Sequence, residues 1–140
     1  VYTVYSFTNS HFESGLFGIY AGLDQNEIKH YVPVVVDEIK KICNEYVSDK
    51  ELNRVKVQLK ASLLMALESS SSTAEVVARQ HLIHNRSIPV EEIVSKIDNV
   101  NKDTIMSVAQ KIFISKPTYT LLGNLNDYPD YENIVQLIKQ

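Results

Sequence analysis

The side chains best suited to chemistry in this sequence are two histidines, His81 and His84, three residues apart in a run that reads as helix. That spacing turns both imidazoles toward one helix face. Two histidines on one face, with a glutamate as general base, are how a helix builds a zinc hydrolase site. The remaining parts are missing: no glutamate lies between them, and no acidic residue follows at a ligand-like spacing. Both are therefore read as polar residues near a helix end, and no metal ligand is assigned. His11 falls in a turn and His30 near a helix start, and both read as surface residues. Cys43 is the only cysteine, which rules out an intrachain disulfide and a cysteine-built zinc site and suits a reducing compartment. The sequence has no Gly-x-Ser-x-Gly, Cys–His pairing or phosphate-cradling glycine loop. No complete catalytic centre is expected.

The longest consistent helical pattern, Ser48 to Pro89, must position whatever function there is. Ser48 and Glu51 have capping-box spacing, in which hydroxyl and carboxylate satisfy backbone N–H groups left open by the first turn. Leu52, Val55, Leu59, Leu63 and Leu67 then form an apolar stripe expected to face inward, with Arg54, Lys56 and Lys60 in solvent. Ser69 to Ser72 should bend or restart the helix, because serine favours caps over helix interiors. Ser72 and Glu75 repeat the capping spacing, and Val76, Val77, Leu82 and Ile83 supply apolar surface to the second piece. Asn85 suits a left-handed helix stop, and Pro89 opens the next helix. Arg79 and Arg86 are expected to bond backbone carbonyls at helix ends.

Around this stretch, residues 1–8 and 16–23 read as an antiparallel strand pair, with Tyr5 and Tyr20 in the sheet core. Asp24 and Glu27 have the spacing that starts a first helix, with Tyr31, Val35, Ile39, Ile42 and Tyr46 inward and Asp37 paired with Lys41. Pro33 is tolerable only near that helix's beginning. Ile93 and Ile97 face inward on a short helix. Asn101 caps another, with Ile105, Val108, Ala109 and Ile112 inward. Thr118 to Leu122 reads as a strand between the boundary signals Pro117 and Gly123. A last helix turns Tyr131, Ile134, Val135 and Ile138 inward, and Asp127, Asp130 and Glu132 are explained by its capping. This order implies an α+β fold: an antiparallel-rich sheet covered on one face by helices, with a long kinked central helix.

A hydrophobic content of 44% with 22% charged residues fits one domain, residues 1–140, able to bury its own core. The net charge of −3 and the scattered Lys and Arg exclude a nucleic-acid surface. No apolar run approaches the roughly 18 to 20 residues of a membrane span, and no charged segment leads into a targeting stretch. A soluble protein of the cytoplasm or an organelle matrix is expected.

Several stretches together resemble the insulinase and pitrilysin-type zinc peptidases, in the branch of the mitochondrial processing peptidase and its bacterial relatives. They are Leu52-Asn53-Arg54-Val55-Lys56-Val57-Gln58-Leu59-Lys60, Leu67-Glu68-Ser69-Ser70-Ser71, Ala78-Arg79-Gln80 and Asn85-Arg86-Ser87-Ile88-Pro89. The family has Leu-Glu-(Ser/Gly)-(Thr/Ser), Gly-Arg and Gly-Arg-x-Ile-Pro at these places, so Ala78 and Asn85 stand where it usually shows glycine. Val1-Tyr2-Thr3-Val4-Tyr5-Ser6-Phe7 and Glu13-Ser14-Gly15-Leu16-Phe17-Gly18-Ile19-Tyr20 are similar to two of its strands. That family has more of its half-module before the first of these strands, so the chain is expected to be a C-terminal peptidase-like domain trimmed at its N-terminal side.

The resemblance implies half of a two-part chamber, in which one half holds zinc through an inverted His-x-x-Glu-His and the other helps grip the peptide. The lack of that motif here implies the second, non-zinc half of a zinc metalloendopeptidase, inactive alone, with its zinc ligands outside this chain. The implied partners are the zinc-bearing half or a homologous subunit, and a peptide or unfolded protein. Tyr2 matches a tyrosine whose hydroxyl, with an upstream arginine, bonds the peptide near the scissile carbonyl. Its other reading is a strand tyrosine packed on a helix. The alternative function is a non-catalytic structural subunit, as in the core proteins of the respiratory cytochrome complex.

Overall fold

A computed structural model describes residues 1–124 and 128–139. The chain divides into two compact units, Val1–Tyr46 with Met106–Gln140, and Val47–Ile105.

In the first unit, strands β1 (Thr3–Ser10) and β2 (Gly15–Gly22) pair antiparallel, with Tyr5 opposite Tyr20 and Phe7 opposite Gly18. A Cβ at Gly18 would come within 2.2 Å of the Phe7 ring, so that ring lies over the glycine and would have to shift to admit a larger residue. The Tyr5 and Tyr20 rings stack with centroids 5.1 Å apart, yet both are exposed, as is all of β1. They are thus not the sheet core expected from the sequence. The rings pack on each other across the strand pair instead of against a second layer. On the other face, Phe17 meets Phe113 edge-on at 5.5 Å.

Asp24 accepts the N–H of Asn26 at the head of a short 3-10 turn, and helix α1 (Ile28–Asn44) follows with Pro33 in its second turn. Its buried residues are Ile28, Val32 and Val36, which meet Ile134 of helix α6 (Tyr131–Lys139). The expected stripe of Val35, Ile39 and Ile42 lies beside them, half-buried, while Tyr46 lies past the helix and is exposed. Residues 31–36 are apolar nearly all round, so periodicity allowed either stripe, and docking of α6 selects one. Lys41 pairs with Glu38 at 2.6 Å, one residue from the expected Asp37.

Residues 118–122 form no ladder, contrary to the strand expected. Tyr119 and Leu121 pack instead on the α1–α6 core, while Thr118, Thr120 and Leu122 face solvent. The period-two pattern is real, but side-chain burial replaces strand pairing as its cause. The Tyr131 hydroxyl donates to the Pro117 carbonyl at 2.9 Å and ties this segment to α6. Ile134 and Val135 are buried as expected. Asp127 lies outside the described residues.

The second unit opens with helix α2 (Asp49–Leu67), whose capping box is complete: Ser48 Oγ accepts the Glu51 N–H, and Glu51 accepts the Ser48 N–H, each at 3.2 Å. Helix α3 (Ser70–His84) restarts with Ser69 as its cap, accepting the Ser72 N–H at 3.3 Å. The restart thus falls three residues before the Ser72–Glu75 pair. Helix α4 (Val90–Asn99) follows Pro89. Helix α5 (Lys102–Phe113), which belongs to the first unit from Met106 onward, begins under Asn101, whose side chain accepts the Thr104 N–H at 2.8 Å. On α5 Ile105 is half-buried and Ala109 buried, but Val108 and Ile112 are exposed.

The inward stripe of α2 is corrected. Val55, Leu59 and Leu67 are exposed, Leu59 by 51%. The half-buried side runs through Leu52, Lys56, Lys60 and Leu63. Lys56 donates to the Asp98 carbonyl at 2.8 Å and Lys60 to its carboxylate at 2.7 Å, so α4 draws the lysine side toward itself. Long lysine stems can lie along a neighbouring helix while the ammonium reaches an acceptor. Val76, Val77, Leu82 and Ile83 of α3 are exposed as well.

Candidate functional site

The densest polar cluster joins α3 to α4. Asn85 ends α3 at φ 54°, ψ 23°, in the left-handed conformation expected of it, and its N–H reaches the His81 carbonyl at 2.9 Å. The reversal brings three residues of the following turn, Arg86, Ser87 and Ile88, onto their neighbours. Ser87 Oγ lies 2.9 Å from His81 Nε2, and the Ile88 N–H donates to the Gln80 side chain at 2.8 Å. Arg86 forms a two-pronged pair with Glu92, Nη1 and Nη2 each donating at 2.8 Å, and Lys96 adds a third bond at 2.9 Å.

Arg86 was expected to bond backbone carbonyls. A carboxylate in the first turn of α4 outcompetes them, because it matches the guanidinium fork and carries full charge. Those Arg86 bonds, then those of Lys96, hold the Glu92 carboxyl down at about 2. Glu92 could have been found from sequence as the partner of Lys96 at i, i+4, but its contact with Arg86 required the turn geometry. Arg79 is exposed.

His81 is thus occupied by Ser87, and no three His, Cys, Asp or Glu side chains converge among the described residues. The residues present do not fit a zinc ion. A depression of about 500 Å³ beside α4 is lined by Leu64, Val90, Glu91, Val94 and Asp98, and the Asp98 carboxylate there is bonded to Lys60. A cleft of about 250 Å³ in the first unit includes Cys43, Lys40, Phe113 and Ile138. Burial pushes the Cys43 thiol up, which keeps it protonated and a poor nucleophile.

Tyr2 lies just before β1. Its N–H donates to the Gly22 carbonyl at 2.8 Å, which fixes the backbone, and its side chain is 82% exposed. Among the described residues of this chain no helix covers its ring.

Two antiparallel strands in the first unit, and a helix broken at Ser69 and the turn after Asn85 in the second, give the chain an α+β composition. Residues 1–59 match the family described as the Peptidase M16 inactive domain. The chain is 36% identical over 140 residues to the mitochondrial-processing peptidase subunit beta of Saccharomyces cerevisiae, covering 96% of this chain and 30% of that protein. It is 32% identical over 130 residues to the human subunit beta, covering 92% and 26%. An uncharacterized zinc protease of Streptomyces coelicolor is 26% identical over 126 residues, covering 90% and 28%. A chain of Complex III2 from Candida albicans with Inz-5 bound shares the fold, with a TM-score of 0.70 at 20% identity, over 77% of this chain and 26% of its own.

The chain therefore resembles the C-terminal, non-zinc half of the insulinase and pitrilysin-type metallopeptidases, in the processing-peptidase-like branch. It spans under a third of the curated relatives it matches. Among the described residues no helix is long and apolar enough to cross a membrane.

Proposed function

We propose that this chain is the C-terminal domain of a processing-peptidase-like zinc metalloendopeptidase, forming part of a peptide-binding chamber while the zinc ligands lie in another domain or subunit. Likeness along 96% of the chain to a processing-peptidase subunit carries this reading. The partner is a zinc-bearing half or homologous subunit, the substrate is a peptide or unfolded protein, and the compartment is an organelle matrix or the cytoplasm.

Tyr2 is the substrate-binding residue in this reading. Its exposed hydroxyl donates to the peptide near the carbonyl under attack, where a preorganised donor stabilises developing charge. In the full-length protein with its partner, Tyr2→Phe is expected to lower kcat/KM roughly a hundredfold, the scale for loss of one such donor. Zinc content and Tm should stay unchanged, because Phe keeps the ring and removes only the hydroxyl. Unchanged turnover would remove Tyr2 from the mechanism.

A second reading is a non-catalytic partner subunit of the same fold, the fold shared with a chain of Complex III2. Full-length protein that turns over no unfolded peptide when assembled with its partner and supplied with zinc would favour it.

A further inference from the structure

We draw no further inference here: the strongest candidate, the exposed aromatic face of the β1–β2 pair bearing Tyr5, Phe7 and Tyr20, is an unpartnered surface, and nothing in the structure shows what covers it.

Discussion

Asn85 offers the sharpest test of how this chain turns from α3 into α4. Its φ of 54° and ψ of 23° place an L-residue in the left-handed region, while its side chain is exposed. Substitution there therefore alters backbone preference and almost nothing else. A residue with an ordinary Cβ loses roughly 1–2 kcal/mol in this conformation, a penalty that Asn partly escapes through local hydrogen bonding. Asn85→Ala should accordingly destabilise the chain by about 1 kcal/mol. Asn85→Gly should change stability by less than about 0.5 kcal/mol, because relief of the steric cost is offset by the greater freedom of glycine in the unfolded chain.

Urea denaturation of the three proteins, followed by helical circular dichroism, reads both differences as midpoint shifts at constant slope. The ordering matters more than either value. If Ala and Gly proved equally stable, the left-handed turn would not be the conformation in solution. The bonds from Arg86 to Glu92, Ser87 to His81 and Ile88 to Gln80 would then lose their geometric basis.

Further outcomes follow from the same geometry. Glu92 is held at about 2 against an ordinary value of 4.5, so its contribution to stability is present above pH 4.5 and fades as pH falls toward 2. Glu92→Gln should flatten that part of the stability profile, and an NMR titration placing the Glu92 carboxyl near 4.5 would contradict the Arg86 pairing. Val36, only 3% exposed, should cost about 1.5–3 kcal/mol when replaced by Ala. Leu59→Ala should cost about 1 kcal/mol in this chain, since half of the side chain already meets water. The reverse ranking in a denaturation series would exchange core and surface. Elemental analysis of the 140-residue chain should find less than stoichiometric zinc after mild dialysis, and a tightly held ion lost on His81→Ala would overturn the ligand assignment.

Local signals in the sequence translated well where one short-range interaction decides the structure. The Ser48–Glu51 box, the Asn85 stop and the Asn101 cap all form, because each rests on groups within a few residues of one another. The buried pair Ile134 and Val135 was also legible, since α6 is short and one of its faces is plainly apolar. What was not legible depended on partners far away in sequence. Lys56 and Lys60 read as solvent-facing until Asp98, 38 residues beyond Lys60, is seen to accept from both. Likewise, alternation at Tyr119 and Leu121 reports two partly buried side chains, and only the packed structure shows that they lie on the α1–α6 core and not in a strand pair.

The same distinction governs the reading of function. Periodicity states which side of a helix is apolar, but the occupant of that side is a separate fact, and on α2 the lysine side is half-buried while Leu59 stays exposed. Chemistry is subject to the same limit. Two histidines at helical spacing become a metal site only if further ligands converge, and here the second unit gives His81 a serine hydroxyl instead. Tyr2 is the opposite case: its backbone is fixed by Gly22, while its phenol has been left available. A donor held by a strand but unused by the fold can act on a ligand without any cost to packing. If Tyr2 has the proposed role, Tyr2→Phe should lower turnover of the full-length protein and leave Tm unchanged, whereas Val36→Ala should lower Tm, a contrast that measuring turnover and Tm on both variants reads directly.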